Sequence, residues 1–254
     1  MTVKVTQLRP FGEAAIAEAA RLIAAGEPVA VPTETVYGLA ADATSGEAVA
    51  RIYEAKGRPS FNPLIVHVPD LATAEQIGDF SFAARMLALV HWPGPLTLVV
   101  PLRPDAPIAS LVTAGLNTIA LRVPAHPAMQ ALLHASGKPL AAPSANESGR
   151  ISPTRAEHVL ASLNGRIPLI IDGGPTERGI ESTIIAANGD ELRLLRPGPI
   201  EVLEALSSSG GVQAPGMLAS HYAPSKPVRL NALERHDDEV LIGFGRYPGD
   251  MTLS

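Results

Sequence analysis

The sequence predicts an α/β (α+β) fold, in which helices flank a twisted, open, mixed β-sheet. Helix and strand patterns alternate along residues 13–207, which is typical of a sheet covered by helices. Asn188-Gly189 separates two apolar runs, which predicts a tight hairpin and therefore some antiparallel pairing. Of the 254 residues, 46% are apolar and 18% are charged, so the chain can bury a core.

Helices are predicted where N-cap residues precede an apolar periodicity and where glycine or proline follows it. Thr44 and Glu47 form a capping box that opens a helix ending near Lys56. Ser152-Pro153 opens another helix, with proline in the first turn. The other predicted helices are residues 13–25, two helices capped by Asp70 and Ser81, residues 126–135 and residues 200–207.

Strands are predicted where short apolar runs lie between turn-forming residues. The predicted strands are residues 28–31, 63–68, 96–102, 118–123, 139–142, 167–171, 181–187, 191–195 and 239–244. Between the last two of these, residues 207–211 contain only serine and glycine, which predicts a flexible break in the chain.

Composition excludes several classes of protein. The chain has no cysteine, so disulfides, thiolate zinc sites, iron–sulfur clusters and cysteine nucleophiles are excluded. No apolar run approaches the roughly 18 residues of a membrane span, and the first residues lack the apolar stretch of a signal peptide. A net charge of −5 is poorly suited to coating nucleic acid. We therefore expect a cytoplasmic protein that does not associate with membranes.

Cationic and hydrogen-bonding side chains follow several predicted helices and strands, although the glycine-rich phosphate motifs are missing. Lys56 and Arg58 come at a helix end, where they could bind a phosphate or could simply stabilise the helix dipole. Ser144 and Asn146 follow a strand, where either a ligand site or an ordinary turn is common. Together these residues indicate an anionic substrate held by separate loop side chains.

Two polar residues lie inside apolar strands. His67, in the run LIVHV, is at a position where a satisfied core histidine is more common than a ligand. Arg122 needs an anionic partner or access to solvent, because a buried unpaired charge is strongly unfavourable. Thr35 follows the first predicted strand, and Ser182 and Arg196 bracket the predicted hairpin.

Eight short blocks occur in one order along the chain and together carry a family resemblance. They are VPTETVYGL (31–39), KGRP (56–59), PLIVHV (63–68), PGPLT (93–97), LRVP (121–124), PSAN (143–146), EST (181–183) and RPG (196–198). On these blocks the chain resembles the YrdC-like family over residues 10–205, and the resemblance implies a YrdC-like fold. Residues 215–217 and 220–224 further resemble the linker of the family's long form, which carries an additional C-terminal domain.

The resemblance implies an activity. Such enzymes are nucleotidyltransferases that combine L-threonine, bicarbonate and ATP into threonylcarbamoyl-adenylate and release pyrophosphate. Other proteins then transfer the threonylcarbamoyl group to an adenosine of tRNA. The resemblance therefore implies that magnesium enters with ATP, that the product passes to the tRNA threonylcarbamoyl-transfer machinery, and that direct tRNA binding is weak or absent.

The resemblance also implies roles for individual residues. Lys56 and Arg58 would be catalytic. The threonine side would be formed by Thr35, His67, Arg122, the Ala142 backbone and Ser182. The nucleotide side would be formed by Arg58, Asn62, Thr118, Ser144, Asn146, Ser152 and Arg196, with Tyr222 or His221 closing over it. No cluster of carboxylates suggests a dedicated metal site, so the magnesium would be held mainly by the phosphates.

By the same resemblance, the chain is expected to have three parts. Residues 1–206 would form the catalytic domain, and residues 207–227 a linker that serves as a lid. Residues 228–254 would be the start of an incomplete C-terminal domain, because they are fewer than the roughly 40 residues usually needed to fold alone.

Two alternative functions stay open. One is a related carbamoyltransferase that forms carbamoyl-adenylate, although such enzymes need cysteine-bearing segments or further catalytic domains. The other is an RNA-binding module with the same fold but without this activity, which the net charge of −5 disfavours. Release of pyrophosphate from ATP would distinguish the enzyme from the binding module.

Overall fold

A computed structural model describes residues 5–189, 191–201, 228–230, 232, 234–236, 238–244 and 249–253. The chain divides into two compact units, Met1–Ala223 and Pro224–Ser254. Among the helices of the described residues, none combines the length and the apolar character needed to cross a bilayer.

The first unit alternates strands and helices along the chain. Its strands are β1 (Gln7–Pro10), β2 (Val29–Pro32), β3 (Tyr37–Asp42), β4 (Ile65–His67), β5 (Leu96–Pro101), β6 (Thr118–Arg122), β7 (Leu140–Ala141), β8 (Leu169–Asp172), β9 (Thr183–Asn188) and β10 (Glu191–Arg196). Its helices are α1 (Glu13–Ala24), α2 (Gly46–Lys56), α3 (Leu71–Ile77), α4 (Phe82–His91), α5 (Ser110–Thr113), α6 (Pro127–Ser136) and α7 (Ala156–Leu163).

These ten strands form one open sheet in the order β1-β8-β2-β3-β7-β4-β6-β5-β9-β10. The pairs β1/β8, β2/β8, β4/β6 and β5/β9 are parallel. The pairs β2/β3, β3/β7, β4/β7, β5/β6 and β9/β10 are antiparallel. The predicted mixed sheet and the predicted hairpin at Asn188-Gly189 are therefore confirmed.

Helices cover the two faces of the sheet with two apolar cores. Successive side chains of a strand point to opposite faces, so Val29 and Val31 of β2 join the core with α1 and α6, whereas Ala30 joins the larger core on the other face. Farther along the sheet, the α1/α6 face carries a smaller apolar cluster that includes Ile65 and Ala120. This smaller cluster lies on the part of the sheet where the polar residues of β4 and β6 are found.

The helices α2, α3, α4 and α6 begin after a residue whose side chain accepts a hydrogen bond from a free N–H group of the first turn. The predicted caps Asp70 and Ser81 are confirmed, since each side chain accepts a hydrogen bond from the N–H three residues later. The predicted cap Thr44 is wrong. Ser45 caps α2 instead, because the Thr44 hydroxyl donates to Asp42 Oδ1 at 2.7 Å.

The predicted helix start at Ser152-Pro153 is also wrong, since α7 begins at Ala156. The Ser152 hydroxyl donates to Glu181 Oε1 at 2.6 Å, so it is not available as a cap. The Pro153 carbonyl oxygen accepts a hydrogen bond from the Tyr37 N–H at 2.9 Å, which keeps the segment extended beside β3.

The sequence patterns do not reveal β1, β3 or the short helix α5. All four residues of β1 are exposed, so this strand lacks an apolar run. All six residues of β3 are buried and include Gly38 and two alanines, so it lacks both alternation and β-branched residues. These strands form because neighbouring strands pair with them, which no local pattern records.

In the second unit, the described residues form two short strands, β11 (Ile242–Phe244) and β12 (Met251–Leu253), which pair in parallel. The first falls within the strand predicted over residues 239–244, and the second is not predicted. Nearly all of the predicted helix 200–207 and all of the predicted lid 207–227 lie outside the described residues.

Replacement of Gly198 tests the close approach of the chain after β10 to the start of β9. A Cβ at Gly198 would lie 2.3 Å from the Thr183 nitrogen and 2.6 Å from the Glu181 carbonyl oxygen. Both are backbone atoms that cannot rotate away, so Gly198→Ala is expected to lower the free energy of unfolding by about 1–3 kcal/mol, measured by chemical denaturation. Gly46→Ala is the control, because a Cβ there meets nothing within 4 Å. Equal stability of both variants would contradict this packing.

Candidate active site

Polar side chains gather on the sheet face that carries Ile65 and Ala120. Side chains two residues apart on a strand share a face, so His67 lies on the same face as Ile65, and Arg122 on the same face as Ala120. The parallel register of β4 and β6 sets His67 directly beside Arg122. Both residues lie at the carboxyl ends of their strands, where ligands of open α/β sheets commonly bind.

The turn between β2 and β3, residues 33–36, extends over this end of the sheet. The Thr33 hydroxyl donates to the Val36 carbonyl oxygen at 2.7 Å and also accepts the N–H of Thr35 at 3.2 Å. The two threonine hydroxyl oxygens lie 2.8 Å apart. Thr33 thereby holds the turn in one conformation, with the Thr35 side chain buried at its centre.

Arg122 is buried, and three of its nitrogens donate to neighbouring groups. Nη2 donates to Glu34 Oε1 at 2.7 Å, Nη1 to Thr35 Oγ1 at 3.0 Å, and Nε to the Gly94 carbonyl oxygen at 3.2 Å. The anionic partner that the sequence requires for Arg122 is therefore Glu34. Sequence reasoning does not select Glu34, although its position beside Thr35 at the end of a strand is a signal that could have found it.

The Glu34 carboxylate is ionised at neutral pH in spite of its burial. Burial acts to raise the pKa of this group, but the Arg122 guanidinium and the N–H of Ala125 outweigh that effect and hold the pKa below its usual value of 4.5. The Ala125 N–H reaches Glu34 Oε2 at 3.1 Å, so both carboxylate oxygens are bound.

His67 is not a satisfied core residue. It is 2% exposed, and neither ring nitrogen has a hydrogen-bond partner in the part of the chain that the structure describes. Burial, and then the positive charge of Arg122, lower the pKa of His67 well below its usual value, so the ring is neutral. A neutral imidazole offers one donor and one acceptor, and both are available to a ligand.

Lys56 lies in the last turn of α2, which ends at Gly57 in the left-handed conformation. Its side chain is 1% exposed, and Nζ donates to the carbonyl oxygens of Ser144 and of Asn146, the latter at 2.6 Å. Lys56 therefore joins α2 to the segment after β7 and does more than stabilise the dipole of its own helix. Burial, together with the charge of Arg58, lowers the pKa of Lys56 to about 7.

The loop after α2 carries Arg58, which is close enough to Lys56 to affect its pKa, and Asn62. Arg58 Nη2 donates to the Pro63 carbonyl oxygen at 3.0 Å, and the Tyr53 hydroxyl donates to the Asn62 carbonyl oxygen at 3.0 Å. The side-chain amide of Asn62 is buried, and no described residue donates to it or accepts from it. The NH2 group of that amide can donate to a ligand, and its carbonyl oxygen can accept from one.

The segment after β7 follows β3 closely. The Ala145 N–H donates to the Tyr37 carbonyl oxygen at 2.8 Å, which fixes Ser144 at the edge of the site. Asn146 Nδ2 donates to the Arg150 carbonyl oxygen at 2.8 Å, while its Oδ1 has no partner among the described residues. The Ala142 N–H donates to β4, so the carbonyl oxygen is the backbone group of Ala142 that remains for a substrate.

Arg196 approaches the site from the end of the hairpin. Its Nε donates to the Ser182 carbonyl oxygen at 3.0 Å, its Nη2 donates to Ser182 Oγ at 2.9 Å, and Nη2 lies 3.5 Å from Glu181 Oε2. The Ser182 hydroxyl is also 2.7 Å from the hydroxyl of Thr97. Ser182 is fully buried, and its two contacts with Arg196 fix the direction of that side chain.

One cavity collects most of these side chains. The predicted site residues that line it are Thr35, Arg58, His67, Arg122, Ala142, Ser144 and Arg196. The other lining residues are Thr33, Val36, Gly38, Ile65, Pro143 and Glu181. Cations from three distant segments thus face a single opening.

The remaining predicted residues lie behind the cavity wall or away from it. Those that the structure does not place in the lining are Lys56, Asn62, Thr118, Asn146, Ser152 and Ser182. Thr118 begins β6, and the four residues to Arg122 correspond to about 13 Å, so it lies toward the opposite end of that strand. Tyr222 and its alternative His221 lie outside the described residues.

Among the described residues, no group of three or more histidine or acidic side chains is placed to hold a metal ion. Glu181 lines the cavity, but its carboxylate is already bound by the Ser152 hydroxyl and lies near Arg196. The donor set therefore fits a metal ion that arrives with its own oxygen ligands, such as phosphates, better than one held by the protein alone.

Comparison with known families gives two matches. The Sua5/YciO/YrdC family model, described as "Telomere recombination", matches residues 21–198. A second model, described as "Threonylcarbamoyl-AMP synthase, C-terminal domain", matches residues 180–245. The first match covers more than half of the chain and includes every predicted site residue except Tyr222.

Similar proteins of known name cover most of the chain. It is 48% identical over 242 residues to a protein of Bacillus subtilis named threonylcarbamoyl-AMP synthase, with 90% of this chain and 70% of the relative covered. It is 44% identical over 243 residues to the Pyrococcus abyssi protein of the same name, covering 90% of this chain and 71% of the relative. The chain thus spans about 70% of the length of these two relatives.

A solved structure also resembles the fold. The crystal structure of P. abyssi Sua5 complexed with L-threonine superposes with a TM-score of 0.82 and 37% identity. The superposition covers 98% of this chain and 82% of that one.

Loss of the Glu34 charge is expected to destabilise the fold. Glu34→Gln leaves Arg122 buried without an anion, and the free energy of unfolding should fall by about 3 kcal/mol at neutral pH. Because the pKa of Glu34 is lowered in the folded state, the wild-type advantage is present above the usual value of 4.5 and is lost as the pH falls through the folded value. Urea denaturation at several pH values measures both effects.

Glu47→Gln is the matched control for that prediction. Glu47 pairs with Arg51 at 3.0 Å, but its side chain is 81% exposed, so its loss should change stability by less than about 1 kcal/mol. If Glu34→Gln behaved like Glu47→Gln at every pH, the buried pair would not support the fold.

Proposed function

The chain belongs to the Sua5/YciO/YrdC family, and from this premise we propose that it is a threonylcarbamoyl-AMP synthase. It converts L-threonine, bicarbonate and ATP into threonylcarbamoyl-adenylate, pyrophosphate and water. The observation that carries the proposal is the single cavity, in which Arg122 and His67 face the same opening as Arg58 and Arg196. One end suits an amino acid, and the other suits phosphates.

Threonine binds at the Arg122 end. The guanidinium pairs with the substrate carboxylate, and the Thr35 hydroxyl accepts from Nη1 of the same guanidinium. The neutral ring of His67 and the carbonyl oxygen of Ala142 supply acceptors for the amine or the hydroxyl. This arrangement holds the amine that attacks the carbon of bicarbonate, which loses one oxygen as water and leaves the carbamate.

ATP binds at the Lys56 end. Arg58 and Arg196 line the cavity, and Lys56 lies directly behind Ser144. Positive charge placed there stabilises the negative charge that develops on the α-phosphate and on the departing pyrophosphate. The side-chain amide of Asn62 and the Oδ1 of Asn146, which have no partner among the described residues, supply polar contacts to the nucleotide.

Positioning supplies most of the acceleration. Carboxylated threonine is labile in water, so it must meet the α-phosphate before it decomposes, in a site from which water is excluded. Holding the two reactants in line is worth up to about 7–11 kcal/mol in favourable cases. The cavity brings the two ends within one opening, which is the geometry that this step requires.

Magnesium enters as the ATP complex and is held mainly by phosphate oxygens, because Glu181 is the one acidic residue among the described residues that line the cavity. The product passes to the tRNA threonylcarbamoyl-transfer machinery in the cytoplasm. A net charge of −5 is poorly suited to nucleic-acid binding, so direct binding of tRNA by this chain is weak or absent.

Omission of each substrate in turn tests the function. Pyrophosphate release should require L-threonine, bicarbonate and ATP together. Release without threonine but with carbamoyl phosphate would favour a carbamoyltransferase. No release with any combination, together with strong binding to RNA in a gel shift, would favour an RNA-binding module.

Removal of either cation at the phosphate end should abolish the reaction. Lys56→Ala and Arg58→Ala are expected to lower pyrophosphate release by at least about 100-fold, because charge in the transition state is no longer neutralised. Lys138→Ala is the control, since the Lys138 side chain is 48% exposed and contacts Asp42 at 3.7 Å. Near-normal rates in both active-site variants would overturn the assignment of the phosphate end.

The affinity for ATP should depend on pH through Lys56. Because its pKa is lowered to about 7, the charged form is lost as the pH rises above that value. The dissociation constant of ATP should therefore increase by about tenfold between about pH 7 and about pH 8.5. Lys56→Met should bind weakly with little pH dependence, and a wild-type profile in that variant would assign the titration to another group.

A further inference from the structure

Glu34 is buried beside Arg122, the residue that the proposed reaction assigns to the substrate carboxylate. Its side chain is 7% exposed and the Arg122 side chain 4%. It is not among the residues that line the cavity, and both of its carboxylate oxygens already accept hydrogen bonds within the protein. Its contacts instead determine where Arg122 points and what net charge the amino-acid end carries.

Glu34 joins two loops that meet at the site. One carboxylate oxygen accepts from Arg122 on β6, and the other accepts from the Ala125 N–H just before α6. The Glu34 carbonyl oxygen accepts from the Arg178 N–H at 2.8 Å. The glutamate side chain is long enough to accept from Arg122 and from the Ala125 N–H at once. A neutral amide has only one oxygen, so its NH2 group would face one of these two donors.

The guanidinium keeps donors for a substrate after these contacts. Arginine has five N–H donors, and the described residues use one on each of its three nitrogens. The two that remain are on Nη1 and Nη2, and they can bind one carboxylate. Glu34 and the Gly94 carbonyl thus fix the orientation in which that carboxylate is received.

Charge balance is the second consequence of this pair. A buried arginine without a partner would attract any small anion that enters the cavity, because its desolvation would be relieved by that anion. With Glu34 beside it, the pair is neutral and a simple anion gains little. An amino acid, by contrast, also offers an amine and a side chain to the polar groups around it.

We propose that Glu34 is a positioning residue that orients Arg122 and balances its charge, so that the site takes the carboxylate of an amino acid and rejects simple anions. This inference rests on the proposed function, because it assigns the amino-acid end to the Arg122 side of the cavity. It assigns to Glu34 a selectivity role that is separate from its contribution to stability.

The test compares Glu34→Gln with the wild type in pyrophosphate release, with threonine varied and acetate added at constant ionic strength. In the wild type, acetate should leave the KM for threonine unchanged. In Glu34→Gln, kcat should fall by at least about tenfold because Arg122 is misdirected, and acetate should compete with threonine and raise its KM severalfold. Acetamide, which has no charge, should have no effect on either protein.

Thermal unfolding gives a readout that does not depend on activity. Acetate should raise the Tm of Glu34→Gln and leave the Tm of the wild type unchanged. If the wild type released no pyrophosphate but this difference in Tm appeared, the proposed function would fail while the charge-balancing role of Glu34 stood. If kcat fell in Glu34→Gln without any effect of acetate on KM or Tm, Glu34 would be merely structural and the proposal overturned.

Two further variants sharpen the test. Glu34→Asp keeps the charge but cannot span both loops, so kcat should fall without competition by acetate. It also decides the orienting role if Glu34→Gln does not fold, since an unchanged kcat in Glu34→Asp would overturn that role. Glu47→Gln, in which the exposed partner of Arg51 is lost, should match the wild type in every measurement.

Discussion

The ion pair between Arg122 and Glu34 is the interaction on which the geometry of the site depends. A guanidinium on an inner strand of the sheet is strongly unfavourable without an anion, and the 2.7 Å contact to Glu34 removes that penalty. Because Glu34 belongs to the turn between β2 and β3, the same contact draws that turn over β6. Thr35 and His67 then both lie beside Arg122, although they belong to separate segments of the chain.

The two ends of the cavity differ in how their positive charges are balanced. At the Arg122 end a carboxylate balances the cation, and the site is neutral before a substrate binds. At the phosphate end Lys56 and Arg58 lie close together, and the pKa of Lys56 is lowered to about 7 as a result of burial and of that neighbour. The folded protein thus holds unfavourable charge at the end of the cavity that we assign to the phosphates, and the proposed binding of ATP would relieve it. Such strain is the usual reason why substitutions that stabilise a fold reduce its activity.

Much of the fold is predictable from local sequence, and most of the site is not. The caps Asp70 and Ser81 and the hairpin at Asn188-Gly189 are predicted correctly because each depends on a few neighbouring residues. The caps at Thr44 and Ser152 are wrong because distant or competing groups, Asp42 and Glu181, take those hydroxyls. The predicted cavity residues come from the family resemblance, whereas the buried partner of Arg122 depends on a long-range contact that no spacing reveals.

The order of strands in the sheet has a consequence for how the protein acquires its site. β3 pairs with β7, β5 with β9, and β1 with β8, so most neighbours are joined only after long loops of chain have closed. Even the residue before β1 is anchored late, since the Thr6 hydroxyl donates to the Ile167 carbonyl oxygen across 161 residues of sequence. Folding should therefore be slow for a chain of this size, and a ribosome-bound nascent chain acquires the complete pocket only after β9 and β10 have emerged.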